Sequence, residues 1–133
     1  MNEFVKGLHH VGMPTADMNA TVAFYQSFGA KIVYEKKDEF EGRPIRVVLL
    51  GFGGMLIECY ERPATEKCVG AIDHLAFEVE HVEEMYSLCK EKGYRLMADC
   101  AQQIGESTYW PEGARWFIVY GPNEEKIEFC REG

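Results

Sequence analysis

Gly7-Leu8-His9-His10-Val11-Gly12-Met13 recurs in pattern as Ala71-Ile72-Asp73-His74-Leu75-Ala76-Phe77, with the histidine at an offset of 74 − 10 = 64. Both runs are apolar and rich in strand formers. Two positions to either side of the histidines stand Leu8 and Gly12, or Ile72 and Ala76. In a strand, residues i and i±2 share a face, so each imidazole projects beside a small residue that leaves room for a ligand.

Working outward, the first strand, Leu8 to Met13, should stop at Pro14, with Asp17 as the N-cap of a helix. Met18, Val22 and Tyr25 form its apolar stripe, widened by Phe24 and Phe28, and Gly29 supplies the stop. Strands then follow over Ala30 to Glu35, Ile45 to Leu50 and Met55 to Tyr60, joined by a charged turn-like stretch, Glu35 to Gly42, and by Gly51-Phe52-Gly53-Gly54. Glu61 to Gly70 is polar and contains Pro63, so it reads as a connection. Beyond it the order repeats: a strand at Ile72 to Val79, a helix at His81 to Lys92 with a stop at Gly93, then strands at Tyr94 to Met97, Arg115 to Tyr120 and Lys126 to Cys130. Ile127-Glu128 repeats Ile57-Glu58 at 128 − 58 = 70, so the second half carries 70 − 64 = 6 extra residues, expected before Gly121.

This order predicts an α+β fold in which a strand, a helix and three strands occur twice. One domain over 1–133 would contain an N-terminal module of about 1–62 and a C-terminal module of about 70–133. A chain of this length buries enough surface to fold without disulfides. Fourteen basic against 22 acidic residues give a net charge of −8, and the basic residues are scattered, which disfavours a nucleic-acid partner and an anionic membrane surface. Apolar runs such as Val47 to Ile57 are too short and Gly-interrupted to span a bilayer, and Met1 to Val11 lacks a signal-peptide core, so a cytoplasmic location is expected. Five cysteines without C-x-x-C spacing argue for reduced core residues rather than a disulfide or zinc scaffold.

Four polar side chains, His10, Glu58, His74 and Glu128, interrupt apolar strands opposite their most hydrophobic neighbours, and they fall into two equivalent pairs. A carboxylate carried into a core without a cation or a donor costs several kcal/mol, on the order of the burial penalty of an ion, or is pushed towards its neutral form. Two imidazoles with two carboxylates suit one divalent transition metal (Ni, Co, Zn, Mn or Fe) in an open, roughly octahedral site. Other residues read more plainly. His9 caps the strand entrance, its face opposite to that of His10. His81 is a solvated helix start, Cys59 points to the helix side, and Arg43, Arg46 and Arg115 either meet an anionic substrate or, as is commoner, pair with surface carboxylates. Tyr109-Trp110-Pro111 lies in the extra loop, where it either closes over a substrate or packs on the loop itself.

The doubled strand, helix and three-strand order, with His on the first strand and Glu on the last of each half, resembles the vicinal oxygen chelate superfamily. That family includes the glyoxalases, bleomycin resistance proteins and dioxygenases, and glyoxalase I is a familiar member. The resemblance runs from Leu8-His9-His10-Val11 through Leu56-Ile57-Glu58 and Ile72-Asp73-His74 to Gly121-Pro122-Asn123-Glu124-Glu125-Lys126-Ile127-Glu128. It implies two βαβββ modules forming a U-shaped, incompletely closed eight-stranded sheet around one metal that the substrate chelates, with His10, Glu58, His74 and Glu128 as ligands.

The activity it implies is that of a metal-dependent lyase or isomerase of glyoxalase I (lactoylglutathione lyase) type. The small-molecule substrate would be a hemithioacetal or related α-hydroxycarbonyl, a proton moving through a metal-chelated enediolate with Glu128 or Glu58 as the catalytic base. A methylmalonyl-CoA epimerase-like enzyme is the alternative, although that family more often has Gln at the position of Glu58. A fosfomycin-resistance transferase would leave Glu58 surplus, and extradiol dioxygenases are usually much longer. A bleomycin-resistance-type sequestering protein would not need the four ligands. Unpaired sheet edges and a wide apolar groove, together with the family's habit of pairing halves within or across chains, predict a homodimer.

Overall fold

The computed structural model describes Phe4, residues 7–70 and residues 72–133. Sequence expectations that reach into residues 1–3, 5, 6 and 71, among them the start of the first module and Ala71 of the recurring run, lie outside the described residues. The chain divides into two compact units, Met1–Glu66 and Lys67–Gly133. The α+β class and the two βαβββ modules are what it forms. The eight strands among the described residues hydrogen-bond as two four-stranded mixed sheets, neither of them closed.

The first unit contains β1 (His10–Thr15), α1 (Met18–Gln26), β2 (Lys31–Phe40), β3 (Arg43–Phe52) and β4 (Met55–Glu61) in sheet order β1-β4-β3-β2. Asp17 caps α1 as expected, its carboxylate accepting from the Ala20 amide at 3.0 Å. Alternation then sorts the sheet: Met13, Val48, Leu50, Ile57 and Cys59 are buried under Met18, Val22 and Tyr25 of α1, and the Tyr25 hydroxyl reaches Met13 Sδ at 3.5 Å. Thr15 and Thr21, the buried polar side chains among the described residues, satisfy one another at 2.8 Å.

The stretch Glu35 to Gly42, expected as a turn, is mostly strand: β2 pairs with β3 as far as Phe40↔Arg43. An edge strand exposed on both faces tolerates charge, and Lys36 and Asp38, two apart on one face, pair at 3.2 Å. The turn itself is only Glu41-Gly42, with φ of 51° and 74°. Positive φ at both central residues matches strand twist, and Gly53-Gly54 (57° and 80°) closes the next hairpin in the same way.

The second unit contains β5 (Leu75–Glu78), α2 (Val82–Glu91), β6 (Gly105–Ser107), β7 (Ala114–Tyr120) and β8 (Lys126–Glu132) in order β5-β8-β7-β6. Val82, Tyr86 and Cys89 of α2 are buried with Phe117, Val119, Ile127 and Phe129 of the sheet, and Tyr86 meets Phe117 edge to face at 5.3 Å. The strand expected at Tyr94 to Met97 is reduced to one bridge, Leu96↔Val119. From there the chain turns off through a 3₁₀ turn, Ala98–Cys100, and the Cys100 thiol takes over the ladder bond, accepting from the Ile118 amide at 3.4 Å.

The register also moves one of the six extra residues. Leu49 faces Glu58 as Ile118 faces Glu128, so β7 stands at 118 − 49 = 69 and β8 at 128 − 58 = 70. One extra residue therefore lies in the turn after Tyr120, and Gly121 is not the counterpart of Gly51.

Candidate functional site

In the first unit, β1 and β4 run parallel with Gly12↔Glu58 and His10↔Leu56 in register. His10 Nε2 lies 3.8 Å from Glu58 Oε2, on the face opposite buried Ile57 and Cys59. The other ring nitrogen is engaged: His10 Nδ1 is 2.8 Å from Nδ1 of His9, with the rings edge to face. Tyr60, two residues beyond Glu58 on the same face, leans into the space left by Gly12. A Cβ at Gly12 would stand 3.6 Å from the ring and 3.8 Å from the hydroxyl.

The second unit repeats this. Ala76↔Glu128 and Ile118↔Glu128 are in register, and His74, just ahead of β5, places Nε2 3.6 Å from Glu128 Oε1. His74 Nδ1 is 2.9 Å from Asp73 Oδ2, and Asp73 in turn lies 3.4 Å from the Lys126 ammonium. The His74 hydrogen bond, more than Lys126, holds the Asp73 carboxyl below its usual range. Glu128 is the less exposed glutamate, at 16% against 41% for Glu58. Cys130, two residues on, has its thiol pushed up to about 11 by burial first, then by the charge of Glu128 and a hydrogen bond to it, and by the charge of Glu78.

The four residues singled out from the sequence thus form two His–Glu pairs, one per unit. Among the described residues no three His, Cys, Asp or Glu side chains cluster to hold a metal. Each pair nevertheless fits as two donors to one cation. Donors about 2.1 Å from a metal are about 3.0 Å apart at a right angle and about 4.2 Å apart when opposed, and 3.6 and 3.8 Å fall between. Both distances are too long for direct hydrogen bonds. The Asp73 carboxylate, an acceptor only, holds the His74 proton on Nδ1 and leaves the Nε2 lone pair free for a cation, whereas the Nδ1–Nδ1 contact with His9 braces the His10 ring without assigning its proton. The sequence reading missed the orienting role of His9 and Asp73. Its signal was available, since both occupy the position before the histidine.

The remaining candidates separate cleanly. Cys59 is fully buried on the helix side, and His81 is an exposed N-cap without a side-chain bond. Arg46 pairs with Glu35 at 2.9 Å and Arg115 with Glu83. Tyr109 is 93% exposed and so does not pack against its own loop, while Trp110 is 56% exposed. No helix among the described residues is long and apolar enough to cross a membrane.

A family model described as the Glyoxalase/Bleomycin resistance protein/Dioxygenase superfamily matches residues 7–129. The chain belongs to this superfamily. The chain is also similar to the uncharacterized protein YwbC of Bacillus subtilis (strain 168), 26% identical over 132 residues, 93% of this chain and 96% of YwbC. A glyoxalase family protein from Enterococcus faecalis shares the fold at a TM-score of 0.75 and 20% identity, covering 96% of this chain and 99% of that one. FosX, a fosfomycin resistance protein from Listeria monocytogenes crystallised with Mn(II) and sulfate, matches at a TM-score of 0.69 and 21% identity, covering 97% and 94%. The vicinal oxygen chelate resemblance drawn from the sequence therefore holds.

Proposed function

We propose that the protein is a metal-dependent lyase or isomerase of glyoxalase I type, acting on a hemithioacetal or related α-hydroxycarbonyl compound. The observation that carries this reading is the doubled His–Glu pair, each imidazole presenting Nε2 to its carboxylate while Nδ1 is held from behind. His10, Glu58, His74 and Glu128, drawn from one chain or from two, would hold one divalent ion. Such an ion would polarise neighbouring oxygens of the substrate and stabilise charge that develops there. Mn(II) in FosX supports a cation of this kind.

The protein's own part is proton transfer. A carboxylate removes the proton beside the carbonyl and returns it to the adjacent carbon, which is isomerisation without redox change. Glu128 is the stronger candidate for this base, because its lower exposure leaves the carboxylate less hydrated. Asp73 keeps the His74 imidazole in the ligating tautomer, His9 braces the His10 ring, and the Tyr60 hydroxyl beside Gly12 would hydrogen-bond a substrate oxygen.

The test is elemental analysis after reconstitution with Ni, Co, Zn, Mn and Fe, followed by turnover on hemithioacetals. Roughly one ion per site is expected, and Glu128→Gln should keep the ion while losing about 10²- to 10⁴-fold in turnover. A protein that takes up no metal, or an E128Q and an E58Q variant that both keep full turnover, would refute the proposal.

A further inference from the structure

Tyr60 is followed, two residues on, by an arginine that the reading above does not use. Arg62 sits one residue past β4, and its amide donates to the Thr15 carbonyl at 2.9 Å, so it stays in phase with Glu58 and Tyr60. Its guanidinium carbon lies 3.6 Å from the centroid of the Phe40 ring and 4.7 Å from that of Tyr60. Both rings belong to the Glu58 face. Tyr60 pairs with Val47, and Val47, Ile45 and Arg43 pair in turn with Lys36, Asp38 and Phe40. Nη1 donates to the Glu61 carbonyl at 2.9 Å. Arg46, Arg95 and Arg115 each hold a carboxylate, whereas Arg62 makes no ion pair among the described residues.

Aromatic rings against the guanidinium plane stabilise the cation and restrict its rotamers, but they use none of its in-plane N–H donors. What remains is a pre-positioned planar fork, the geometry that binds carboxylate and phosphate oxygens in pairs. Glu58 and Arg62 are four residues apart along one strand direction, about 13 Å between α-carbons at roughly 3.3 Å per residue. The aromatic ring of Tyr60 lies between them.

We propose that Arg62 is an anion-binding subsite, and that the substrate is a molecule whose chelating head is held at His10 and Glu58 while a carboxylate or phosphate at its far end is held by Arg62. The head-end placement rests on the metal-centred reading above, whereas the anion site does not. The experiment therefore has a metal-free arm and a metal-loaded arm. In the first, metal-stripped protein is titrated with sodium phosphate and, separately, sodium acetate, and the Arg62 Nε–H resonance is followed, assigned by its loss in R62Q. A saturable shift supports the subsite, and the tighter of the two anions names the group it takes. No saturable shift with either anion overturns it.

In the second arm, Mn(II)-loaded protein is titrated with straight-chain hydroxamates of graded length, ending either in a carboxylate or in a methyl group. At the matching length the carboxylate should bind about tenfold tighter than its methyl counterpart, the range of a charge-assisted hydrogen bond. The advantage should vanish in R62Q and partly survive in R62K, and equal affinity for the methyl series in all three proteins shows that the fold is intact. An advantage that persists undiminished in R62Q, or one absent from the wild type at every length, overturns the two-ended substrate. If Mn(II) does not bind at all, the metal reading falls and the phosphate and acetate titrations still decide the role of Arg62.

Discussion

If His74 ligates a metal as proposed, replacing Asp73 with alanine should weaken Mn(II) binding about tenfold and leave the fold intact, because outer partners of ligating histidines are worth about 10- to 100-fold in metal affinity. The low end of that range follows from the surroundings. Asp73 makes one strong contact, 2.9 Å to His74 Nδ1, and its side chain is 53% exposed, so water replaces part of what is lost. Without the carboxylate the imidazole is freer to rotate and to place its proton on Nε2, the nitrogen that faces Glu128. Asp73→Asn keeps an acceptor oxygen and should lose less than Asp73→Ala. His9→Ala should also lose less, because the partner it removes is an imidazole rather than an anion. Competition against a fluorescent chelator at fixed pH gives the ratio directly, with thermal unfolding of the metal-free proteins as the control for fold. An Asp73→Ala protein that holds Mn(II) within about twofold of the wild type would refute the orienting role.

Other consequences can be checked alongside. A Cβ at Gly105 would come within 2.5 Å of the Trp116 indole paired across from it, so Gly105→Ala should lower stability by about 1–3 kcal/mol, read as a fall in denaturation midpoint, without altering metal content. The thiols of Cys89 and Cys130, both raised to about 11 by burial above all, are neutral at pH 8, with roughly one in a thousand ionised. Their alkylation should therefore climb about tenfold per pH unit towards pH 11, well behind exposed Cys68 at pH 8. We further propose a homodimer, tested by sedimentation of metal-stripped protein over a concentration series. Mixed dimers of His10→Ala and Glu128→Ala chains should regain one intact site in two if metal sites are shared between chains, and none if each lies within one chain. A monomer that still holds metal would refute the dimer.

Much of the architecture was legible because it rests on local chemistry. Asp17 caps its helix and Gly29 and Gly93 take positive φ after theirs, since these are properties of a few adjacent residues. Alternation along Met55–Glu61 and Lys126–Glu132 places Ile57 and Ile127 inside and Glu58 and Glu128 on the opposite face, because the two-residue period of a strand needs no knowledge of its neighbours. That the four site residues fall into two equivalent pairs could likewise be read from spacing alone.

What lay beyond reach depends on partners distant in sequence. Strand β2 continues through a charged stretch because β3 offers it a ladder, and Tyr94 to Met97 fails to become its counterpart because the chain turns away and Cys100 takes the Ile118 amide. Arg62 looks like any exposed cation until Phe40, paired in from the far edge of the sheet, comes to lie against it. His9 and Asp73 resemble strand-entrance polar residues until the ring nitrogen each one holds is seen. Propensity and period act over a few residues, and the sequence by itself determined what they determine: the element order, the caps and the in-out pattern. Which side chains meet is set by sheet register and by packing across tens of residues, and only the tertiary structure decided that.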